Sequence, residues 1–282
     1  MFIIFGSPRS GTTLLKESLN QNPAIVIPHE TDFIIPLAFL IDRIPNAQIG
    51  RELVAEMIVS TKDFAASIGC HLSPSEVKAC VYNADYNMPA VLESLYASIA
   101  LKSGADIAGD KSPNDLGSLG ILRNTQLFKS NIKLIHIVRD VRDVVLSLQN
   151  TSWAPQNIEM TFPGIWNTTN LNLRRFASQK PENVFFLRYE DFIANPEAML
   201  KQMCDFLGVP FESRMLDWTS LGKDLRHLPH HQNLGQPPMS SRCYNWKSIG
   251  DVSCHPWAER AREALQEFGY ELPSAAPSHT AR

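Results

Sequence analysis

The sequence has little cysteine, no long hydrophobic run and no excess of positive charge. Its five cysteines are an odd number among 282 residues, and none stands in a Cys-x-x-Cys pair, which predicts reduced thiols rather than a disulfide framework. The net charge of −3 gives no support to non-specific nucleic-acid binding. The apolar stretches are far shorter than the roughly 20 residues that a membrane span needs. We therefore predict a cytoplasmic protein with no nucleic-acid partner and no membrane span.

The hydrophobic content is sufficient for one large domain. Hydrophobic residues make up 44% of the chain, and a chain of this length can bury one extensive core. We predict a single domain over residues 1–272, with a mostly helical insert at 33–105 that forms a binding pocket or a lid. Residues 273–282 are rich in Ala, Ser and Pro and are predicted to be a disordered tail.

The first residues have the layout of a phosphate-binding loop. Phe2–Phe5 is a short apolar run typical of a buried strand, Gly6–Gly11 is a turn of small residues, and a helical pattern opens at Thr12. In this layout backbone N–H groups and the positive end of the helix dipole converge on an anion. The segment therefore predicts an anion site at the end of the first strand.

The spacing of this loop is that of a P-loop with one departure. Gly6, Gly11 and Thr13 stand at the P-loop positions, but Thr12 replaces the usual lysine and Arg9 places a cation inside the loop. The P-loop lysine and Mg²⁺ serve phosphoryl transfer in NTPases, so the change indicates a different leaving group and no metal. The alternative is a strand, turn and helix whose glycines serve only tight geometry.

Glu30 lies where an open α/β sheet binds its ligand. Ala24–Ile27 is predicted to be a second short strand, and Glu30 follows its carboxyl end. We expect this carboxylate to share a cleft with Arg9. The alternative is that Thr31 or Asp32 caps the next helix and that Glu30 is merely solvated.

Two later strands are also followed by basic residues. Asp106–Gly109 is a predicted strand with Lys111 just beyond it, and Lys133–Val138 is a β-branched strand that leads into Arg139 and a helix. Lysines at such positions are often only solvated. For Arg139 the alternative is an ion pair with Asp143 at the start of the helix, which contributes little.

These motifs resemble those of one family. Ser7–Thr13 resembles the 5′-phosphosulfate loop of sulfotransferases that use 3′-phosphoadenylyl sulfate (PAPS), in the arginine-containing form typical of bacterial, carbohydrate and tyrosylprotein members. Gly109–Pro113 resembles the family's central motif, and Arg188–Phe192 its third landmark. Arg139 and Ser147, eight residues apart, resemble the pair that binds the 3′-phosphate. A forked guanidinium and a hydroxyl suit that dianion.

The resemblance implies the fold, the donor and the roles of individual residues. The fold would be the P-loop NTPase-like sulfotransferase fold, an α/β fold with a central parallel sheet flanked by helices. PAPS would be the donor and adenosine 3′,5′-bisphosphate (PAP) the product, with no metal. The implied residues are Glu30 as base with Arg9 and Lys111 at the sulfuryl group; Arg9, Ser10, Gly11, Thr12 and Thr13 at the 5′-phosphate; Arg139 and Ser147 at the 3′-phosphate; Tyr189 near adenine; and Arg242 and Lys247 in a closing loop.

The acceptor is predicted only by class. It is a hydroxyl on a small molecule, a carbohydrate, a lipid or a peptide tyrosine, and an oligomer is possible. The placement of Glu30-Thr31 resembles the tyrosylprotein enzymes, but their pattern has Arg where this chain has Asp32. That difference argues against an acidic peptide.

Two other functions remain open at this stage. The first is a P-loop small-molecule kinase, against which Thr12 argues. The second is a non-catalytic nucleotide-binding protein, against which Arg9, Glu30 and Lys111 argue. His227, His230 and His231 invite a zinc site, but further ligands are not evident and no metal is predicted.

Overall fold

The structure is a computed structural model, and it describes residues 1–112, 119–222, 235–237, 239–248 and 256–272. The tail predicted at 273–282 and the three histidines at 227, 230 and 231 lie outside these ranges. The single-domain boundary at 272 stays a prediction. No helix in the described ranges is long and apolar enough to cross a membrane.

Five parallel strands form one sheet. They are β1 (Phe2–Gly6), β2 (Ile25–Val26), β3 (Ile107–Lys111), β4 (Lys133–Val138) and β5 (Val184–Arg188), and their order in the sheet is β2-β3-β1-β4-β5. Strands β1 and β4 are mostly apolar, as is typical of parallel strands covered on both faces, and all five residues of β1 are buried. The predicted α/β fold with a central parallel sheet is confirmed.

Helices cover both faces of the sheet. The segment predicted as a helical insert, residues 33–105, contains four α-helices. The third of them, Pro74–Asn83, starts with a capping box in which Ser73 and Glu76 bond each other's backbone N–H groups. The helices are α1 (Thr12–Asn20), α2 (Ile34–Arg43), α3 (Ala47–Val59), α4 (Pro74–Asn83), α5 (Met88–Ser103), α6 (Leu119–Leu122), α7 (Val141–Gln149), α8 (Ile158–Ala177), α9 (Tyr189–Ala194), α10 (Pro196–Leu207), α11 (Pro256–Glu259) and α12 (Arg262–Glu267).

Two elements differ from the sequence prediction. Strand β3 continues two residues further than predicted, because Asp110 and Lys111 pair with Ile3 and Ile4 of β1. The sequence of Trp257–Phe268 has the apolar spacing of one amphipathic helix, but the structure divides this segment between α11 and α12, and Ala261 between them has non-helical dihedrals of φ −109° and ψ 5°.

The alternation of β1 divides the core into two layers. Ile3 and Phe5 face the helices of the insert, α2 to α5. Phe2 and Ile4 face the opposite layer, which includes Leu15 of α1 and residues of α10. Because all strands are parallel, the carboxyl ends of β1, β3 and β4 meet at one edge of the sheet, and the loop after β1 lies there.

Candidate active site

The loop after β1 bends sharply so that α1 starts at the sheet edge. Arg9 has φ 69° and Gly11 has φ 88°, both in the left-handed region, and the Ser10 N–H donates to the Ser7 carbonyl at 3.1 Å. A Cβ at Gly11 would lie 2.4 Å from the ring of Tyr189. Glycine is therefore required there by close approach as well as by φ. Helix α1 then presents its N-terminal N–H groups at the loop, as an anion site needs.

Two buried polar atoms at this edge match the predicted phosphate contacts. The Ser10 hydroxyl is fully buried, and neither it nor Arg139 Nε has a hydrogen-bond partner among the described residues. Buried polar groups are normally satisfied. Ser10 belongs to the predicted 5′-phosphate loop and Arg139 to the predicted 3′-phosphate pair, so the residues present fit a nucleotide that carries both phosphates.

Glu30 and Lys111 form an ion pair beside the loop. Lys111 Nζ donates to Glu30 Oε1 and lies 3.4 Å from the Thr13 hydroxyl. The Lys111 side chain is 3% exposed, whereas that of Glu30 is 43% exposed, so the lysine is not the solvated residue that the alternative required. Burial lowers the pKa of Lys111, and the Glu30 carboxylate acts in the opposite direction. A buried cation and an accessible carboxylate thus meet at the anion loop.

Arg9 points to the other side of the loop. Its Nε donates to the Ser147 hydroxyl at 2.9 Å, so the guanidinium is directed toward the predicted 3′-phosphate pair. Arg139 donates from Nη1 to the carbonyl oxygen of Arg9 at 3.0 Å. Burial and the nearby Arg139 lower the pKa of Arg9. The structure therefore groups Arg9, Ser147 and Arg139 into one cationic cluster.

The Arg139 side chain is held from three directions. Its guanidinium lies 4.6 Å above the ring centre of Tyr189, and its Nη2 donates to the Arg242 carbonyl at 2.8 Å. Asp143 Oδ2 lies 3.8 Å from Arg139 Nη2, so the ion pair that was the alternative role for Arg139 is present. Arg139 Nε is left without a partner in the described part of the chain.

The C-terminal loop reaches the cluster mainly through its backbone. Asp143 accepts the N–H groups of Tyr244 at 2.6 Å and Trp246 at 3.1 Å, which anchors the loop to α7. Arg242 contributes its carbonyl to Arg139. Lys247 instead pairs with Glu271 at 2.6 Å, and no described contact joins Lys247 to Arg139 or Ser147.

The helix-cap alternative for the residues after Glu30 is wrong. Helix α2 starts at Ile34, and Phe33 holds the N-cap position without a side-chain cap. The Thr31 hydroxyl donates instead to Asp110 at 2.7 Å. No role for Asp110 is predicted from the sequence. Its place beside Lys111 in the Gly109–Pro113 motif was the available signal.

Asn170 and His136, which were not predicted as site residues, support the loop after β1. The Asn170 amide lies on α8, donates to Ser7 Oγ at 3.4 Å and accepts from His136 Nε2 at 3.0 Å. Burial lowers the pKa of His136 to about 4, which keeps this imidazole neutral near pH 7. Asn170 lies more than 160 residues from Ser7, and no local pattern marks such a pair.

Two cavities border the helical insert. An apolar groove of about 560 Å³ lies between α2 and α3, and Phe39 lines it. A more polar cleft of about 530 Å³ includes Lys16, Asn20, His29 and His71. Lys16 lies on α1, three residues after the Thr13 that contacts Lys111. Among the described residues no cluster of three or more potential metal ligands occurs.

Comparison with known proteins decides the family. The model of the sulfotransferase family matches residues 2–213. The chain belongs to the sulfotransferase family. Its fold is similar to the sulfotransferase domain of the Synechococcus PCC 7002 olefin synthase, with a TM-score of 0.66 and 23% identity over 97% of this chain and 95% of that one. It is also similar to the sulfotransferase domain of the curacin biosynthetic pathway, with a TM-score of 0.63 and 23% identity over 97% and 98% of the two chains.

The sequence relatives of this family member are distant. A flavonol sulfotransferase-like protein of Flaveria bidentis is 26% identical over 100 residues, which are 30% of this chain and 32% of that relative. The chain spans 26% to 34% of the length of the curated relatives it matches. The family model thus establishes the family, and the solved structures establish the fold. The donor, the acceptor and the roles of the site residues have to be inferred from the geometry of the site.

Proposed function

We propose that this sulfotransferase-family chain transfers a sulfuryl group from PAPS to the hydroxyl of an acceptor and releases PAP. The ion pair between Glu30 and Lys111 is the observation that carries the proposal. It combines an accessible carboxylate and a buried ammonium beside Thr13 at the start of α1, and this is the place where a donor held by the loop would present its transferable group.

The two phosphates of the donor would be held by separate groups of residues. The N–H groups from Ser10 to Thr13, together with the Thr12 and Thr13 side chains, would bind the 5′-phosphate at the positive end of α1. Arg139 and Ser147 would bind the 3′-phosphate. The Tyr189 ring lies between these groups, against Gly11 and beneath Arg139, and would support the adenosine.

Transfer would depend on positioning and charge rather than on a covalent intermediate. PAPS would supply the sulfuryl group from its phosphosulfate anhydride. The S–O bond to the 5′-phosphate would break as the bond to the acceptor oxygen forms in line, and PAP would leave, by analogy with phosphoryl transfer. Glu30 would accept the proton of the acceptor hydroxyl. Lys111 would stabilise the negative charge that develops on the bridging oxygen. A similar role for Arg9 would require its guanidinium to leave Ser147, where the structure places it.

The acceptor would approach through the polar cleft. His29, which lines it, directly precedes Glu30, and Lys16, which also lines it, lies on the helix whose Thr13 contacts Lys111. Its mixed lining of charged, amide and apolar groups suits a small polar alcohol or phenol better than an extended acidic peptide. The helical insert contributes His71 and Cys70 to this cleft, consistent with the predicted role in acceptor binding.

A transfer assay with sulfur-labelled PAPS over a panel of alcohols, phenols, sugars and tyrosine peptides tests the proposal. Glu30→Gln should lower turnover at least about a hundredfold, the lower range for a positioned general base. Glu52→Gln is the matched control, because Glu52 also pairs with a lysine and its side chain is 45% exposed. Turnover from Mg²⁺–ATP in place of PAPS would instead support the kinase, and PAPS binding without transfer to any acceptor would support a non-catalytic protein.

A further inference from the structure

The segment that carries Glu30 is tied to β3 by side chains rather than by backbone pairing. Regular pairing of β2 with β3 ends at Val26 and Ala108. Beyond it, Glu30 accepts from Lys111 and Thr31 donates to Asp110. Two consecutive residues of one segment are thus bonded to two consecutive residues of the other, and we call these two bonds the side-chain ladder.

The two bonds of the ladder lie on opposite faces of β3. Successive side chains of a strand point to opposite faces, so Lys111 faces α1 while Asp110 faces the helical insert. Lys111 contacts Thr13 on its side, and Asp110 accepts the hydroxyl of Tyr96 from α5 on the other. A shift of Glu30 along or across the edge would therefore break the bond of Thr31.

Asp110 is the fixed point of this arrangement. It is 1% exposed and accepts from three hydroxyls, those of Thr31, Tyr96 and Ser112. Burial raises the pKa of Asp110, and the three donors act against that rise. A carboxylate with several donors is costly to disturb, because each displaced donor leaves buried polar groups unsatisfied.

The segment also has one residue in the left-handed region. Asp32 has φ 50°, a conformation that is uncommon for residues other than glycine. Such a conformation persists where the surroundings determine it, and it is found at functional sites. The Asp32 N–H donates to the Ser112 hydroxyl at 3.4 Å, and that hydroxyl donates to Asp110.

We propose that Asp110 and Thr31 are positioning residues that hold the Glu30 carboxylate against Lys111 for proton removal from the acceptor. This inference rests on the proposed function. Asp110 and Thr31 determine where the base stands but, unlike Lys111, have no proposed contact with the donor. Loss of the bond between them should therefore affect turnover more than donor binding. A misplacement on the order of 1 Å can cost as much as about a hundredfold in rate.

Thr31→Val, Thr31→Ser and the control Thr125→Val test the ladder. Thr31→Val keeps the side-chain shape but removes the hydroxyl, and kcat should fall at least about tenfold with the KM for PAPS nearly unchanged. Thr31→Ser should retain most of kcat because it keeps the donor. Thr125 is also a buried threonine, but among the described residues its hydroxyl bonds only the Leu122 carbonyl, at 2.7 Å, so Thr125→Val should leave kcat unchanged. Normal kcat in Thr31→Val, or equal losses in Thr31→Ser and Thr31→Val, would overturn the proposal.

Amide hydrogen exchange separates this inference from the proposed function. The amides of residues 29–33 should exchange faster in Thr31→Val than in Thr31→Ser, whatever reaction the protein catalyses. Equal exchange would show that the ladder does not hold the segment. If Thr31→Val fails to fold, Tyr96→Phe removes a different donor from Asp110 and should lower kcat in the same direction; unchanged kcat in that variant would count against the ladder. An inactive wild-type chain with the expected exchange difference would refute the sulfotransferase reaction and leave the ladder in place.

Discussion

Replacing Arg139 should separate recognition of the 3′-phosphate from binding of the rest of the nucleotide. The guanidinium lies on the Tyr189 ring and bonds the carbonyls of Arg9 and Arg242. Its buried Nε has no partner among the described residues. In Arg139→Ala, PAP should therefore lose affinity to a much greater extent than AMP, which lacks the 3′-phosphate.

The magnitude follows from the number of bonds available. One hydrogen bond between charged groups contributes about 1.5–3 kcal/mol, and about 1.4 kcal/mol corresponds to tenfold in affinity. If the unpartnered Nε supplies one bond to the phosphate, Arg139→Ala should weaken PAP binding by about 10- to 150-fold relative to AMP. Arg139→Lys should recover only part of this, because lysine keeps the charge but loses the fork.

Calorimetric titration of both nucleotides into wild type and variants measures this difference directly. The comparison with AMP corrects for a general disturbance of the loop, since Arg139 also holds the Arg9 carbonyl. Equal losses for PAP and AMP would refute the reasoning. In that case Arg139 would act only by supporting the loop, and the 3′-phosphate would be bound elsewhere.

Three further predictions concern other parts of the site. Glu30→Gln should leave PAP affinity nearly unchanged while turnover falls at least about a hundredfold; a parallel loss of affinity in the same titration would remove its role as base. Gly11→Ala should abolish nucleotide binding, because the new Cβ would lie 2.4 Å from the Tyr189 ring. Its control is Gly104→Ala: Gly104 has φ 67° and no atom lies within 4 Å of the new Cβ, so this variant should cost only about 1–2 kcal/mol in the free energy of unfolding. Burial gives His136 a pKa of about 4 in the folded protein, against 6.5 ordinarily, so the unfolded chain binds more protons between these pH values. The free energy of unfolding should therefore fall by on the order of 3 kcal/mol as pH drops from 6.5 to 4. Denaturant unfolding should show a smaller loss in His136→Phe, and an equal loss would exclude this histidine as the cause.

The strands and the loop could be predicted from the sequence because each is determined by residues that are neighbours along the chain. The runs Phe2–Gly6 and Lys133–Val138 are mostly apolar and bounded by turns, and they form β1 and β4. The small residues of the loop allow α1 to start at the sheet edge. Arg139 and Ser147, predicted as a pair from their eight-residue spacing, do lie close together, since both contact Arg9.

The support of the site could not be predicted in the same way. The bond of Thr31 to Asp110 joins residues 79 positions apart, and it depends on how the helical insert returns the chain to β3. The direction of Arg9 toward Ser147 and the pairing of Lys247 with Glu271 are choices among several possible partners. Such choices depend on packing between distant elements, which residue type and spacing do not determine.

Titration of the wild-type protein with PAP and with ADP, each with and without Mg²⁺, tests the central claim most directly. The cationic cluster of Arg9, Ser147 and Arg139 predicts tight, metal-independent binding of PAP and much weaker binding of ADP, which lacks the 3′-phosphate. Equal affinity for the two nucleotides, or a requirement for Mg²⁺, would contradict the proposed sulfuryl transfer and favour a kinase.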